Sequence, residues 1–236
     1  MYKEAFETYL KEVRGCKHST VKHYFEAIRW ISNYLINKNL IDCTLFEIRD
    51  YDELIRLKEI LLMDPDFVSM DKIGHQMYTA GLNNYCRFAE GADLAVKSEN
   101  LMLFDTPRLR EEDTLVTSSK PARNPINKRQ VIRWSGYTCC ISENHKTFTN
   151  YSNMLPYMEG HHIIPLSMQK EFENSLDVYA NIACMCPLCH RKIHYAVNDE
   201  RVPMIKKLYD ERHKRLETCG ITVSKDDFVD MLVQGR

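Results

Sequence analysis

The sequence lacks any long hydrophobic run, and no stretch approaches the roughly 20 consecutive apolar residues of a membrane-spanning helix. The charged N-terminus shows no secretory signal pattern, so we expect no membrane partner. A surplus of one charge sign is also missing, since 32 Lys and Arg nearly balance 33 Asp and Glu. Global charge therefore does not indicate a nucleic-acid partner, and any basic surface must be local. Internal repeats are absent as well, and the composition is that of a globular protein with one or two domains.

Cysteine is the residue type that is present in an informative pattern. Five of the nine cysteines group with His145 along the chain, namely Cys139, Cys140, Cys184, Cys186 and Cys189. This grouping favours a metal site in a reducing compartment over the disulfide framework of a secreted protein. We therefore expect a cytoplasmic protein.

Residues 2–91 carry the apolar spacing of amphipathic helices. Gly15 closes the first candidate helix, Asp50 begins the third, and the fourth is expected over Asp71–Phe88. The pattern predicts an α-helical bundle domain over residues 1–115 that serves DNA recognition or dimerisation. Its opening pattern, Tyr-Leu followed by Ser-Thr-Val and Tyr, is weakly similar to the helical core-binding domain of tyrosine recombinases. A scaffold without a DNA role is the alternative.

A basic linker is predicted over residues 116–127, because this stretch is rich in Ser, Pro, Lys and Arg. Positive residues continue past the linker without an acidic residue, through Lys128 and Arg129. A basic segment of this kind can follow the phosphates of a nucleic acid, and a solubilising role is the alternative.

Four histidines carry the spacing of a catalytic metal site. His190 and His194 share one face of a predicted helix and can hold one ion. A third nitrogen ligand can come from His161 or His162, which lie in an extended segment, 157–166. Neighbouring side chains in a strand point to opposite sides, so one histidine can bind metal while the other faces a water. Metal-assisted phosphodiester hydrolysis needs this division of roles.

Three pieces of the sequence, Glu159–Leu166, Asn181–Ala183 and Cys186–His194, together resemble the HNH endonucleases, also called ββα-metal nucleases. The chain is most similar to bacterial restriction-type members that carry a cysteine-based zinc knuckle beside the active site. The resemblance covers roughly residues 127–197. It implies an α+β fold class, with the helical bundle followed by a ββα-metal nuclease domain over 128–236. It also implies double-stranded DNA as the substrate and products with 5′-phosphate and 3′-hydroxyl ends.

The resemblance further implies the roles of the catalytic residues. His162 would be the general base, and the amide of Asn181 would hydrogen-bond backbone near it and hold it in position. His161, His190 and His194 would bind the catalytic ion. Mg²⁺ is the expected ion, although Mn²⁺ and softer divalent metals also suit histidine ligands.

A second, structural ion is implied by the same resemblance. Zinc would be held by Cys139, His145, Cys186 and Cys189, closed off from substrate by four protein ligands. Two adjacent cysteines leave open whether Cys139 or Cys140 is the ligand.

Two basic residues beside the metal-binding histidines, Arg191 and Lys192, would contact the scissile phosphate, unless they serve solubility alone. The predicted function is that of a metal-dependent DNA endonuclease of restriction or genome-defence type. The alternatives are a non-catalytic zinc-dependent nucleic-acid-binding protein and a homing or mobile-element nuclease. One ββα-metal site cuts one strand, so cutting both strands needs a second site, which a homodimer would supply.

Overall fold

The computed structural model describes residues 2–93, 102–110 and 125–234. The chain divides into two compact units, Met1–Leu94 and Ala95–Arg236. Most of the expected linker, 116–127, lies outside the described residues, and the division into 1–115, 116–127 and 128–236 stays a prediction. Within the described parts of the chain, no helix is long and apolar enough to cross a membrane.

The described residues of the first unit form helices and no strand. The helices are α1 Tyr2–Thr8, α2 His18–Asn37, α3 Tyr51–Met63, α4 Pro65–Ile73 and α5 Met77–Glu90, with a π-helical turn, Tyr9–Val13, after α1. Asp50 caps α3 by accepting hydrogen bonds from the backbone N–H groups of Asp52 and Glu53. The prediction of one helix over Asp71–Phe88 is wrong, because His75 and Gln76 adopt left-handed backbone conformations that separate α4 from α5.

An aromatic cluster fills the interior of the first unit. The ring of Phe6 lies 5.1 Å from that of Tyr85 and 5.5 Å from those of Phe25 and Phe88. Helices α2 and α5 approach closely where Gly81 faces α2, since a Cβ at this glycine would lie 2.8 Å from the Cβ of Ala27. The role of this unit in DNA recognition or dimerisation and its likeness to recombinases stay predictions.

The second unit combines helices with one small sheet. Its elements are α6 Pro125–Trp134, β1 Glu159–His162, β2 Ile182–Met185, α7 Pro187–Tyr195, α8 Asn198–Thr218 and α9 Lys225–Gln234. Strands β1 and β2 pair antiparallel, with His161 opposite Ala183 and His162 opposite Ile182. The described chain is therefore mostly helical with a two-stranded sheet, which confirms the coarse α+β prediction.

Close packing fixes the position of β1, β2 and α7. Every residue of β2 is buried, and α6 lies so close to β1 that a Cβ at Gly160 would approach the Cβ of Lys128 to 2.8 Å. The buried Arg201 on α8 donates hydrogen bonds to the carbonyls of Ile193 on α7 and Leu232 on α9, both at 2.7 Å. These contacts hold the helix that carries His190 and His194 against the rest of the unit.

Residues 102–110 also pack within the second unit, although they fall inside the predicted helical domain. The ring of Phe104 stacks on Trp134 with centroids 4.9 Å apart. The buried carboxylate of Asp105 pairs with the guanidinium of Arg215 at 2.5 Å. Leu109 forms an isolated antiparallel bridge with Asn174, a residue of the loop before β2.

Candidate active site and metal centre

Three histidines from two elements meet beside the sheet. His161 lies on strand β1, and its ring contacts α7. His190 and His194 lie one turn apart on α7. Their ring centroids are 4.8–5.0 Å apart in all three pairs. One nitrogen from each ring lies within 4.8 Å of the others. The structure thus brings together the three histidines that the sequence analysis assigned to one ion.

The spacing of the histidine nitrogens suits a shared ion. The Nε2 atoms of His190 and His194 lie 3.3 Å apart. Two nitrogens, each about 2.0–2.1 Å from one tetrahedral ion, would be roughly 3.4 Å apart. Burial, and then the charges that His190 and His194 can carry, hold the pKa of His161 well below its usual value. His161 is therefore neutral at neutral pH, which is the form that binds metal.

Glu159 supports this group and was assigned no role by the sequence analysis. Its Oε2 atom lies 2.5 Å from Nδ1 of His190. Because a carboxylate only accepts, Nδ1 of His190 carries the proton and its Nε2 keeps a free lone pair for an ion. Glu159 and His161 are two apart on one strand and share a face, so alternation alone could have identified Glu159.

His162 contacts Asp177, whereas the neighbouring His161 contacts His190 and His194. Its Nε2 atom lies 3.0 Å from Oδ1 of Asp177, and the two residues are only 8% and 6% exposed. Asp177 comes from the loop before β2 and was also missed by the sequence analysis. No local pattern signals this contact, because the loop geometry decides which residue reaches the histidine.

Asn181 connects the backbone on either side of this pair. The residue is fully buried, and its side-chain oxygen accepts from the N–H of Ile164 at 2.8 Å. Its amide N–H groups donate to the carbonyls of Ile164 at 2.9 Å and Leu176 at 2.8 Å. Asn181 therefore fixes the chain just after His162 to the chain just before Asp177.

A second group of side chains that could hold a metal ion lies at the start of α7. It comprises Cys139, His145, Cys186 and Cys189, whose ligand atoms all lie within 4.8 Å of one another. Nδ1 of His145 is 3.2 Å from Sγ of Cys189 and 3.8 Å from Sγ of Cys186. A nitrogen and a sulfur on one tetrahedral zinc ion would be roughly 3.6 Å apart, so this group could hold zinc.

The two neighbouring cysteines, Cys139 and Cys140, have different surroundings. Burial raises the pKa of Cys139, but nearby backbone N–H groups, that of Cys186 first, outweigh it and lower the pKa to about 7. Burial raises the pKa of Cys140 to about 12, and Cys140 lies outside the group of four. Of the two, Cys139 is the cysteine in the group that could hold zinc, and a lowered pKa favours the thiolate form that binds metal.

The four candidate phosphate contacts lie on two helices, α6 and α7. Arg191 is exposed on α7 and has no carboxylate partner among the described residues. Lys192 pairs with Glu200 at 2.5 Å, so a phosphate would have to displace that carboxylate. Lys128 lies against Gly160 beside the histidine group, and Arg129 is exposed on α6. Of the two on α7, only Lys192 has a carboxylate partner in the part of the chain that the structure describes.

The comparison with protein families matches the same part of the chain. The HNH endonuclease model covers residues 138–196, which include Asn181 and both groups that could hold a metal ion. The chain is also similar to the Type IV methyl-directed restriction enzyme EcoKMcrA of Escherichia coli (strain K12), with 35% identity over 88 residues. The aligned segment is 37% of this chain and 28% of that relative. No solved structure matches the chain at a significant level. With the geometry of the paired strands and α7, these findings show that residues 138–196 form a domain of the HNH endonuclease family.

Proposed function

We propose that this chain is a metal-dependent DNA endonuclease of restriction or genome-defence type. The observation that carries the proposal is the meeting of His161, His190 and His194 at one point, with the buried His162 next to it in the chain. This arrangement lies inside the segment that matches the HNH model. The similar E. coli protein is named a methyl-directed restriction enzyme, which supports the restriction type.

In this proposal His162 acts as the general base and takes a proton from the water that attacks the phosphorus. An Mg²⁺ or Mn²⁺ ion, held by His161, His190 and His194, would supply charge stabilisation for the phosphate and the leaving 3′ oxygen. Glu159 keeps His190 in the tautomer that can bind an ion. The products would carry 5′-phosphate and 3′-hydroxyl ends.

Positive side chains would hold the DNA backbone beside this centre. Arg191 follows His190 on α7, and Lys128 lies against β1, so both can reach a phosphate near the histidines. Lys192 would contribute less, since it pairs with Glu200. Arg129, exposed on α6, would be a further contact. These contacts position the strand without reading its sequence.

A structural zinc ion in the group of Cys139, His145, Cys186 and Cys189 would fix the start of α7. Because His190 follows Cys189 directly, an ion in this group would also fix the position of the catalytic helix. Four protein ligands leave no open position for substrate, so this ion would have no part in the chemistry.

The helical unit would provide recognition of the target or dimerisation. One ββα-metal centre cuts one strand, so double-strand cleavage requires a second copy or a second event. Two catalytic units brought together by the helical unit, Met1–Leu94, would meet that requirement.

The test is cleavage of plasmid and genomic DNA, methylated and unmethylated, by the purified full chain with Mg²⁺ or Mn²⁺. We expect cuts in at least one of these DNAs and 5′-phosphate ends on sequencing. Cuts confined to one long target in unmodified DNA would instead favour a homing nuclease. A folded, zinc-loaded protein that binds DNA without cutting any of these substrates would refute the proposal in favour of a non-catalytic binding module.

A further inference from the structure

The carboxylate of Asp177 is aimed at one nitrogen of the histidine to which we assign the proton transfer. Oδ1 of Asp177 lies 3.0 Å from Nε2 of His162, and both side chains are buried. An ionised carboxylate can only accept a hydrogen bond, so Nε2 must carry the proton. Water is almost excluded from this pair, which strengthens the preference.

The other ring nitrogen of His162 is left available. Among the described residues, no hydrogen bond to Nδ1 of His162 is formed. A neutral histidine with its proton on Nε2 has its basic lone pair on Nδ1. The buried pair therefore selects which atom of the ring can accept a proton.

The backbone around Asp177 is fixed from several directions. The N–H of Asp177 donates to the hydroxyl of Ser175 at 3.2 Å, and its carbonyl accepts from the amide of Asn127 at 3.3 Å. The N–H of Leu176 donates to the side-chain oxygen of Gln169 at 2.8 Å. Asn181 then ties Leu176 to the chain after His162. The carboxylate is held in place before any substrate arrives.

We propose that Asp177 is a positioning residue that holds His162 in the Nε2-protonated tautomer, so that Nδ1 is the atom that accepts the proton from water. This inference rests on the proposed function, and it adds the identity of the reacting atom and of the residue that selects it. The water O–H bond breaks as the oxygen bonds to phosphorus, and the proton moves to Nδ1. Asp177 keeps its own charge and partly balances the imidazolium that forms.

The first test measures the tautomer directly by ¹⁵N NMR of the histidine rings, at a pH where they are neutral. The protein keeps its structural zinc, and mild EDTA treatment leaves the histidine group without an ion. The signals of His162 are assigned by their loss in His162→Gln. We expect the wild-type ring to show its proton on Nε2. In Asp177→Asn we expect a mixture of tautomers, because an amide can accept from Nε2–H or donate to a bare Nε2. A wild-type ring protonated on Nδ1 would overturn the inference, even if Asp177→Asn fails to fold.

The second test compares cleavage rates of plasmid DNA under the same conditions. We expect Asp177→Asn to lower kcat by about 10- to 100-fold or more while KM for DNA stays within about twofold. The matched control is Asp105→Asn, which removes the charge of another buried aspartate that pairs with Arg215 within the same unit. This control should lower thermal stability and leave both kcat and the His162 tautomer unchanged.

The outcomes separate this inference from the proposed function. If the wild-type protein cuts DNA and folded Asp177→Asn has the same kcat and the same tautomer, Asp177 has only a structural role and the inference fails alone. If the wild-type protein cuts no DNA, the proposed function fails, whatever the NMR spectra show.

Discussion

Replacing Asn181 with alanine tests the hydrogen bonds that connect the chain after His162 to the chain before Asp177. Asn181 is fully buried and makes three side-chain hydrogen bonds, one from the N–H of Ile164 and two to the carbonyls of Ile164 and Leu176. Alanine leaves these three backbone groups without that partner. An unsatisfied buried group costs about 1–3 kcal/mol, and relaxation recovers part of it, so we expect a loss of about 3–6 kcal/mol in the free energy of unfolding.

Asn181→Asp adds a comparison at constant size. Aspartate can still accept from the N–H of Ile164, but its second oxygen would face two carbonyl oxygens that now receive hydrogen bonds. We therefore expect Asn181→Asp to be at least as destabilising as Asn181→Ala, although it leaves no cavity. If side-chain volume alone set the stability, Asn181→Asp would have nearly the same free energy of unfolding as the parent protein.

Tryptophan fluorescence can report the unfolding of the second unit by itself. The chain has two tryptophans, Trp30 in the first unit and Trp134 in the second. In a Trp30→Phe background the remaining tryptophan signal comes from Trp134. The ring of Trp134 lies 5.0 Å from that of Tyr179, and Tyr179 belongs to the same 3-10 helical turn as Asn181, Tyr179–Asn181. Urea unfolding of this background, with and without the substitution, gives the difference in free energy.

Asn84→Ala is the matched control for this measurement. Asn84 is half-buried in the first unit and donates one hydrogen bond to the carbonyl of Ala80. Its loss should leave the Trp134 transition unchanged. An Asn181→Ala transition within about 0.5 kcal/mol of the parent would refute the reasoning, since exposed, unconnected substitutions already reach that size.

Three further predictions concern the metals and the base. His162→Ala should lower plasmid cleavage by about 10²–10⁴-fold with fold and DNA binding retained, and near-normal nicking would remove His162 from the mechanism. Mild EDTA treatment should give a folded, inactive protein that Mg²⁺ or Mn²⁺ reactivates. Cys186→Ser should contain no zinc and should melt at a lower temperature than wild type. His190→Ala should be inactive, with a much smaller decrease in melting temperature. Freshly purified protein without zinc, together with a Cys186→Ser variant as stable as wild type, would exclude the structural ion. Glu159→Gln should weaken Mn²⁺ binding at the histidines by about 10- to 100-fold in a titration and leave zinc content unchanged; equal Mn²⁺ affinity would contradict the role of Glu159.

The sequence by itself determined the elements that depend on neighbours along the chain. The four-residue spacing puts His190 and His194 on one face of a helix, and alternation in a strand separates His161 from His162. The capping of α3 by Asp50 is equally local. The sequence pattern was misleading at His75 and Gln76. The apolar spacing continues across these two residues, although their backbone forms a turn between two helices. Periodicity reports burial, and two short helices can bury the same positions as one long helix.

The tertiary structure decided every contact between residues that are distant in sequence. It placed Asp177 on His162 and Glu159 on His190, and it selected Cys139 over Cys140 for the cysteine group. These choices depend on loop paths and on the distance between packed elements, which no local spacing encodes. The pairing of β1 with β2 and the packing of α7 against them bring the atoms within a few ångströms, and hydrogen bonds and metal ligation act only at such distances.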